Sequence, residues 1–342
     1  MSKFVTLEEI RAAKDRIAGV AVRTPLYRVE RARLRMGNFP EPDFDLYIKA
    51  ESEQPIGSFK LRGAYNMVSQ LSPEALRRGV ITYSSGNHAQ GVAYAARALG
   101  AKAVIVMPNN APEVKKAATR ALGAEIVEVG PASSARRIKA EELVAEYGYA
   151  MIPPYDAPQI IAGQATCGLE IVEQLPGVEL VLSPVSGGGL LSGIATAVKL
   201  AAQAGLAAPN VKVWAAEPEL AADAKESFYS KTLVEWPAEK TTRTIGDGLR
   251  TQSLGISNFA HVLEFVDGIV SVTEEEIFAA MRVMLGATKL VPEPSGAVTL
   301  AAALFHADEL PKASKVVVVL SGGNLEPALR ERLEAELTAA KA

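Results

Sequence analysis

Lys60 stands in the stretch Gly57-Ser58-Phe59-Lys60-Leu61-Arg62-Gly63, with Pro55 before it and Tyr65, Met67, Val68 and Leu71 after it. A lysine just inside a helix start sits beside the positive end of the helix dipole, which disfavours the ammonium form. Partial burial lowers its pKa further and makes the amine a usable nucleophile or base. Three more stretches place small and polar residues where an apolar run gives way to a helical pattern. Ser84-Ser85-Gly86-Asn87-His88 lets backbone N–H groups converge at a helix N-terminus, which holds an anion, and Ser84, Ser85 and Asn87 add side-chain donors. Ser186-Gly187-Gly188-Gly189 precedes a helix that starts at Leu190 or Leu191. Three consecutive glycines cost much conformational entropy and make sense where a backbone wraps a phosphate. Ser321-Gly322-Gly323-Asn324 closes the last apolar run as a polar handle.

Taken singly, each stretch also reads as an ordinary capped turn. Together they supply two anion-binding helix starts, a tuned amine and a serine hydroxyl, all at strand ends. A ligand pair carrying a phosphate, a carboxylate and a carbonyl that accepts an amine matches that set. Pyridoxal phosphate with an amino acid is such a pair, the lysine holding the aldehyde as a Schiff base and the ring acting as an electron sink. The competing reading from another class is a nicotinamide-dependent oxidoreductase built on the glycine loop. Ser192 stands where the third glycine of G-x-G-x-x-G belongs, and Glu217 lies further on than the usual ~20 residues. No hydride-site pair stands out, and the loop lacks the Lys-Ser/Thr ending of a P-loop. A non-catalytic amino-acid-binding protein is a third reading.

The elements that must hold these residues follow from periodicity. Thr6-Leu7-Glu8-Glu9 is a capping box that opens a helix. Strand patterns cover 45–50, 80–83, 103–107, 124–129, 178–185, 211–216, 262–272 and 315–320. Helical patterns cover 73–78, 88–99, 112–122, 133–147, 160–174, 191–205, 273–289, 295–306 and 326–340, while 225–260 reads as an irregular surface excursion. Strands alternating with helices mean βαβ units and parallel sheets, here in two series broken at Pro153-Pro154.

The chain of 342 residues is 49% hydrophobic and 22% charged, with a formal net charge of -3. It has ample length for a core and no strong field for nucleic acid or an acidic membrane. Its single cysteine, Cys167, excludes an internal disulfide and a cysteine-based zinc cluster. Val316 to Leu320, the most apolar run, is far short of a membrane span. No signal-peptide pattern follows Met1, so the cytoplasm is the expected location.

From Thr24-Pro25-Leu26 to Ser321-Gly322-Gly323-Asn324 the sequence resembles the fold type II pyridoxal-phosphate enzymes, within them the threonine/serine dehydratase and serine racemase group. His88 after Asn87 and the glycine run favour the dehydratase branch over the sulfhydrylase and synthase branches. The resemblance implies an α/β fold of two open parallel-sheet domains with the active site in the cleft between them. Residues 1–52 and 154–342 would form the large cofactor-binding domain and 53–153 the small one. Lys60 would hold the cofactor and take the Cα proton, beside Phe59. Ser84, Ser85, Gly86, Asn87 and His88 would bind the substrate carboxylate, with Asn87 also reaching the ring hydroxyl. Ser186, Gly187, Gly188, Gly189 and Leu190 would hold the phosphate, although Ser186 replaces the first of the family's usual four glycines. Ser321 would partner the ring nitrogen as a neutral hydroxyl, which favours expulsion of a β-hydroxyl. Ser85, on the face opposite Lys60, would return a proton in a racemase and gives racemisation as a side activity here.

A second match, Glu217, Ala221 and Asp223, is similar to a divalent-cation site for Mg²⁺ or Ca²⁺; the same residues also read as a capped helix start. Asp247-Gly248 and Glu293-Pro294 match further family motifs. The resemblance thus implies an ammonia-lyase for L-threonine and L-serine, dimeric; with about one helix after Asn324, the C-terminal regulatory domain that biosynthetic threonine dehydratases commonly carry is not expected. The alternatives within the fold are a serine racemase or a dehydratase of another 3-hydroxy amino acid, such as 3-hydroxyaspartate or phenylserine.

Overall fold

The computed structural model describes residues 3–34, 42–130 and 133–339. Its strands are β1 (Leu26–Val29), β2 (Asp45–Ala50), β3 (Val80–Thr82), β4 (Ala103–Pro108), β5 (Glu125–Val129), β6 (Ala150–Met151), β7 (Leu180–Pro184), β8 (Lys212–Pro218), β9 (Gly268–Val272) and β10 (Lys315–Leu320). They form two sheets. A six-stranded sheet runs in the order β1-β2-β10-β7-β8-β9, and a four-stranded sheet in the order β5-β4-β3-β6. The smaller sheet is parallel throughout. The larger one is parallel from β2 to β9, and β1 alone runs antiparallel, at its edge beside β2.

Helices cover both faces of a parallel sheet, which is why β4, β7 and β10 are nearly continuous apolar runs. Val316, Val317, Val318 and Val319 of β10 are all buried between β2 and β7. The predicted capping box forms, Thr6 with Glu9 opening Leu7–Ile17, and a second one, Thr273 with Glu276, opens Glu274–Ala287. Among the described residues no helix is long and apolar enough to cross a membrane.

Two expectations need correction. The stretch 225–260 is not irregular throughout: helices stand in it at Asp223–Ser230, Ala238–Thr241 and the start of Ile256–Phe265, with irregular chain between them. Strand character at 262–272 holds only for Gly268–Val272. Asn258, His261, Val262 and Phe265 are buried at helical spacing, so a 3.6-residue period was present under the apolar run.

The reactive stretches all follow carboxyl ends of parallel strands. Ser84 to His88 comes after β3, Ser186 to Gly189 after β7, Asp223 after β8 and Ser321 directly after β10. Ligands of open α/β sheets bind at those ends.

Candidate active site

Lys60 is the first residue of the helix Lys60–Val68 and is half-buried. Its Nζ donates to the Pro154 carbonyl at 2.8 Å and lies 5.1 Å from the centre of the Phe59 ring. Among the described residues no carboxylate pairs with it directly. Burial lowers its pKa from the usual 10.5 to about 8, opposed only by the charge of Glu293. The free amine should therefore be reached within ordinary buffers. Loading of the apoprotein with pyridoxal phosphate is expected to speed up about tenfold from pH 7 to 9 and then level off, as for a group titrating near 8. Stopped-flow absorbance checks this; a rate still climbing beyond pH 10 would mean an ordinary lysine.

The start of the Lys60 helix is stitched to the turn after β10. The Phe59 N–H donates to the Ser321 carbonyl at 3.0 Å, Gly323 N–H to the Gly57 carbonyl at 2.9 Å, and Ser58 bridges Gly322. From that turn Asn324 Nδ2 donates to Asn87 Oδ1 at 2.7 Å, and Asn87 Nδ2 donates to Glu293 Oε1 at 2.8 Å. Lys60, Asn87, Ser321 and Glu293 thus belong to one connected group. Burial first, and then the charge of Asp247, pushes the Glu293 carboxyl up to about 7. Ser321 is buried, and neither its Oγ nor that of the half-buried Ser85 has a hydrogen-bond partner among the described residues.

The helix Asn87–Ala98 starts directly after Gly86, and Ser84 Oγ accepts the Gly86 N–H at 3.4 Å. His88 is turned inward. Its buried Nε2 lies 3.0 Å from the Ile152 carbonyl, and burial lowers its pKa to about 3. The ring is therefore neutral and donates to that carbonyl. What His88 presents to an anion is its first-turn backbone N–H, which has no intrahelical acceptor.

Gly187 and Gly188 have clear reasons to lack a side chain. A Cβ on Gly187 would lie 2.4 Å from ring atoms of Tyr155, and Gly188 has φ +95. The helix Gly189–Gln203 that follows has no side-chain cap, so its first-turn N–H groups are open to an anion. The loop is braced from elsewhere: the Gly187 carbonyl accepts from Asn258 Nδ2 at 2.9 Å and from Gly255 N–H at 3.0 Å. Ser186 Oγ is hydrogen-bonded to Thr251 Oγ1 at 3.0 Å, and Leu190 is buried. Sequence reading missed Tyr155, Asn258 and Thr251. Tyr155 had a signal, because it follows a proline pair just beyond a strand end; the other two had none.

Glu217 and Asp223 sit apart from this group, at the end of β8 and at the first position of Asp223–Ser230. Both are buried, as is Ala221 between them. Glu217 Oε1 accepts the Lys225 N–H at 2.7 Å, while Asp223 Oδ2 is buried without a partner. Burial pushes both carboxyls up, Asp223 to about 7. An orphaned carboxylate oxygen beside a second carboxylate suits a hard cation. Among the described residues no three His, Cys, Asp or Glu side chains gather to hold a metal, so this donor set rests on two carboxylates and a backbone carbonyl.

A lone amine of lowered pKa, an uncapped helix start behind tight glycines and an unpartnered serine hydroxyl fit a phosphorylated aldehyde cofactor. Residues 17–322 match the family described as "Pyridoxal-phosphate dependent enzyme". The chain belongs to that family, and the nicotinamide reading of the glycine loop falls away. It is 39% identical to an L-threo-3-hydroxyaspartate ammonia-lyase of Saccharomyces cerevisiae, over 94% of this chain and 94% of that protein. It is also 39% identical to an L-threonine ammonia-lyase of Thermotoga maritima, over 96% of this chain and 78% of that one. Among solved structures, maize serine racemase superposes with a TM-score of 0.88 at 34% identity, covering 99% of each chain.

Proposed function

We propose that this protein is an ammonia-lyase that converts L-threonine and L-serine to 2-oxobutanoate and pyruvate with release of ammonia. The observation that carries the reading is the connected group of Lys60, Asn87 and Ser321, in a chain whose glycine loop also opens an uncapped helix. Within it Lys60 holds the cofactor aldehyde, beside Phe59. The N–H groups of Gly187, Gly188, Gly189 and Leu190 take the phosphate. Asn87 takes the ring hydroxyl, and Ser321 Oγ takes the ring nitrogen. When bound, the cofactor supplies a carbon that amines attack and a conjugated ring that draws electron density from Cα.

The chain's own residues do the rest. Ser84, Ser85, Gly86, Asn87 and the backbone of His88 hold the substrate carboxylate at the helix start, which fixes how Cα is presented. Lys60 Nζ, its pKa lowered to about 8 by burial, takes the Cα proton as general base. Ser321 has no charge to share with the ring, which suits loss of the β-hydroxyl. Residues 1–52 and 154–342 act as the cofactor-binding domain and 53–153 as the smaller one, in a cytoplasmic homodimer.

A second substrate reading is favoured by the yeast relative, whose name specifies L-threo-3-hydroxyaspartate. Keto-acid release from a panel of L-threonine, L-serine, L-threo-3-hydroxyaspartate and phenylserine decides between them. Turnover of none would overturn the lyase reading, and D-serine formed from L-serine would show the racemase activity that Ser85 permits.

Glu217, Ala221 and Asp223 hold Mg²⁺ or Ca²⁺ in this reading. Calcium ions should raise the melting temperature of the native protein, because a ligand that binds only the folded state stabilises it. Asp223→Asn should abolish that rise. An equal rise in both proteins, or none in either, would remove the cation from the account.

A further inference from the structure

Two residues beyond Lys60, the same helix carries a second cation that faces away from the cleft. Arg62 is fully buried, with Lys49 and Glu51, and Glu170 is nearly so. Arg62 Nε and Nη2 donate to the two oxygens of Glu51 at 2.7 and 2.8 Å. Its Nη1 and Nη2 donate to the two oxygens of Glu170 at 2.7 and 2.9 Å. Thr166 Oγ1 and the Val22 carbonyl accept from it as well, at 3.1 and 3.2 Å. Lys49 Nζ completes the cluster, donating to Glu170 at 2.6 Å, to the Thr24 carbonyl at 2.7 Å and to Gln174 at 3.0 Å. Two cations face two carboxylates, so the buried cluster is neutral.

Such a cluster is a poor way to gain stability. Removing four charges from water costs much of what their attraction returns, and well-packed apolar groups often do as well. Its placement explains more. Glu51 directly follows β2, while Thr166 and Glu170 lie on the helix Pro158–Gln174. That helix also accepts Asn66 Nδ2 at the Gln159 carbonyl (2.7 Å) and the Gly63 N–H at Gln164 Oε1 (3.2 Å), so it is bonded along the length of the lysine helix. It also packs against the helix Gly189–Gln203 that opens at the glycine loop. Just before it lies Pro154, whose carbonyl holds the Lys60 amine.

We propose that Arg62 is a positioning residue for Lys60: by clamping Glu51 and Glu170 it fixes the lysine helix against Pro158–Gln174 and so sets where the Lys60 amine stands relative to the glycine loop. The proposal rests on Lys60 being the residue that holds the cofactor. At about 100° per residue, Arg62 lies about 200° around the helix from Lys60, so it acts from behind and touches no substrate. The neutrality of the cluster matters too. Loss of Arg62 leaves surplus negative charge behind the amine and favours its protonated form; loss of Glu51 leaves surplus positive charge and disfavours it.

The test compares holoenzymes of Arg62→Lys, Arg62→Met and the double variant Arg62→Met with Glu51→Leu. The readouts are melting temperature, pyridoxal phosphate affinity, the pH midpoint of the cofactor–lysine absorbance band, and kcat and KM separately. Lysine keeps the charge but loses the two-pronged fork. Arg62→Lys is therefore expected to weaken cofactor binding about tenfold and to lower kcat up to about a hundredfold with KM little changed, as for a small misplacement of a reacting group. The double variant should melt above Arg62→Met yet still bind the cofactor weakly. Folded Arg62 variants with wild-type affinity, midpoint and kcat would overturn the proposal and leave the cluster a brace. If the Arg62 variants do not fold, Thr166→Val, which removes one acceptor of the fork and leaves both ion pairs in place, should weaken cofactor binding with the pH midpoint unchanged; wild-type affinity would overturn the proposal. A wild-type protein with no lysine-borne absorbance band would count against the role of Lys60 itself, before Arg62 enters.

Discussion

Lys60→Ala is expected to slow ammonia release from L-threonine by about 10⁴-fold or more, because it removes a covalent anchor and a general base together. The fold should survive. The amine makes one hydrogen bond, to the Pro154 carbonyl, and no direct ion pair among the described residues. Lys60→Arg should be nearly as inactive, since a guanidinium stays protonated and neither attacks an aldehyde nor takes a proton. Both variants should lack the absorbance band of lysine-bound cofactor while still binding pyridoxal phosphate weakly at the glycine loop. A Lys60→Ala protein with native turnover would remove the base and the anchor from the account at once.

The second large effect is expected at the glycine loop. Gly188→Ala places a Cβ 2.8 Å from Asn258 Cβ and 2.9 Å from Leu254 Cδ2, on a backbone with φ +95. Alanine in that region costs about 1–3 kcal/mol, and the clash adds to it. The loop would have to shift, and with it the carbonyl of Gly187 that Asn258 and Gly255 hold. Pyridoxal phosphate affinity, read by equilibrium dialysis, should fall about a hundredfold, the loss of several N–H contacts to a phosphate. Lys60 remains in place, so the band should return at high cofactor concentration. Native affinity in Gly188→Ala would mean that this loop does not hold the phosphate.

These two positions were also the most legible in the sequence, for one physical reason. A glycine run at a strand end and a lysine at a helix start make demands on the backbone that local residue types display. The parallel sheets were legible likewise, because apolar runs alternate with capped helices such as those begun by Thr6 and Thr273. What local pattern does not carry is support from far along the chain. The helix Ile256–Phe265 follows Gly255, and the N–H groups of Ile256 and Ser257 are satisfied by Asp156, 100 residues away from Ile256, both at 3.0 Å. Nothing beside Ile256 announces that cap, and the stretch reads as irregular. The antiparallel β1 was hidden similarly, since four residues with two of them exposed show little period. At the site, the spacing around Lys60 says nothing of Pro154 or Tyr155. Their contacts with Lys60 and with Gly187 come from packing across the chain.

The central claim is that Lys60 is the residue joined to the cofactor, and chemical trapping tests it most directly. Borohydride reduction of the holoprotein, followed by proteolysis and peptide mass mapping, should place a single pyridoxyl phosphate group on the peptide containing Lys60. The label on another lysine, or no label on a protein that shows the cofactor band, would contradict the account.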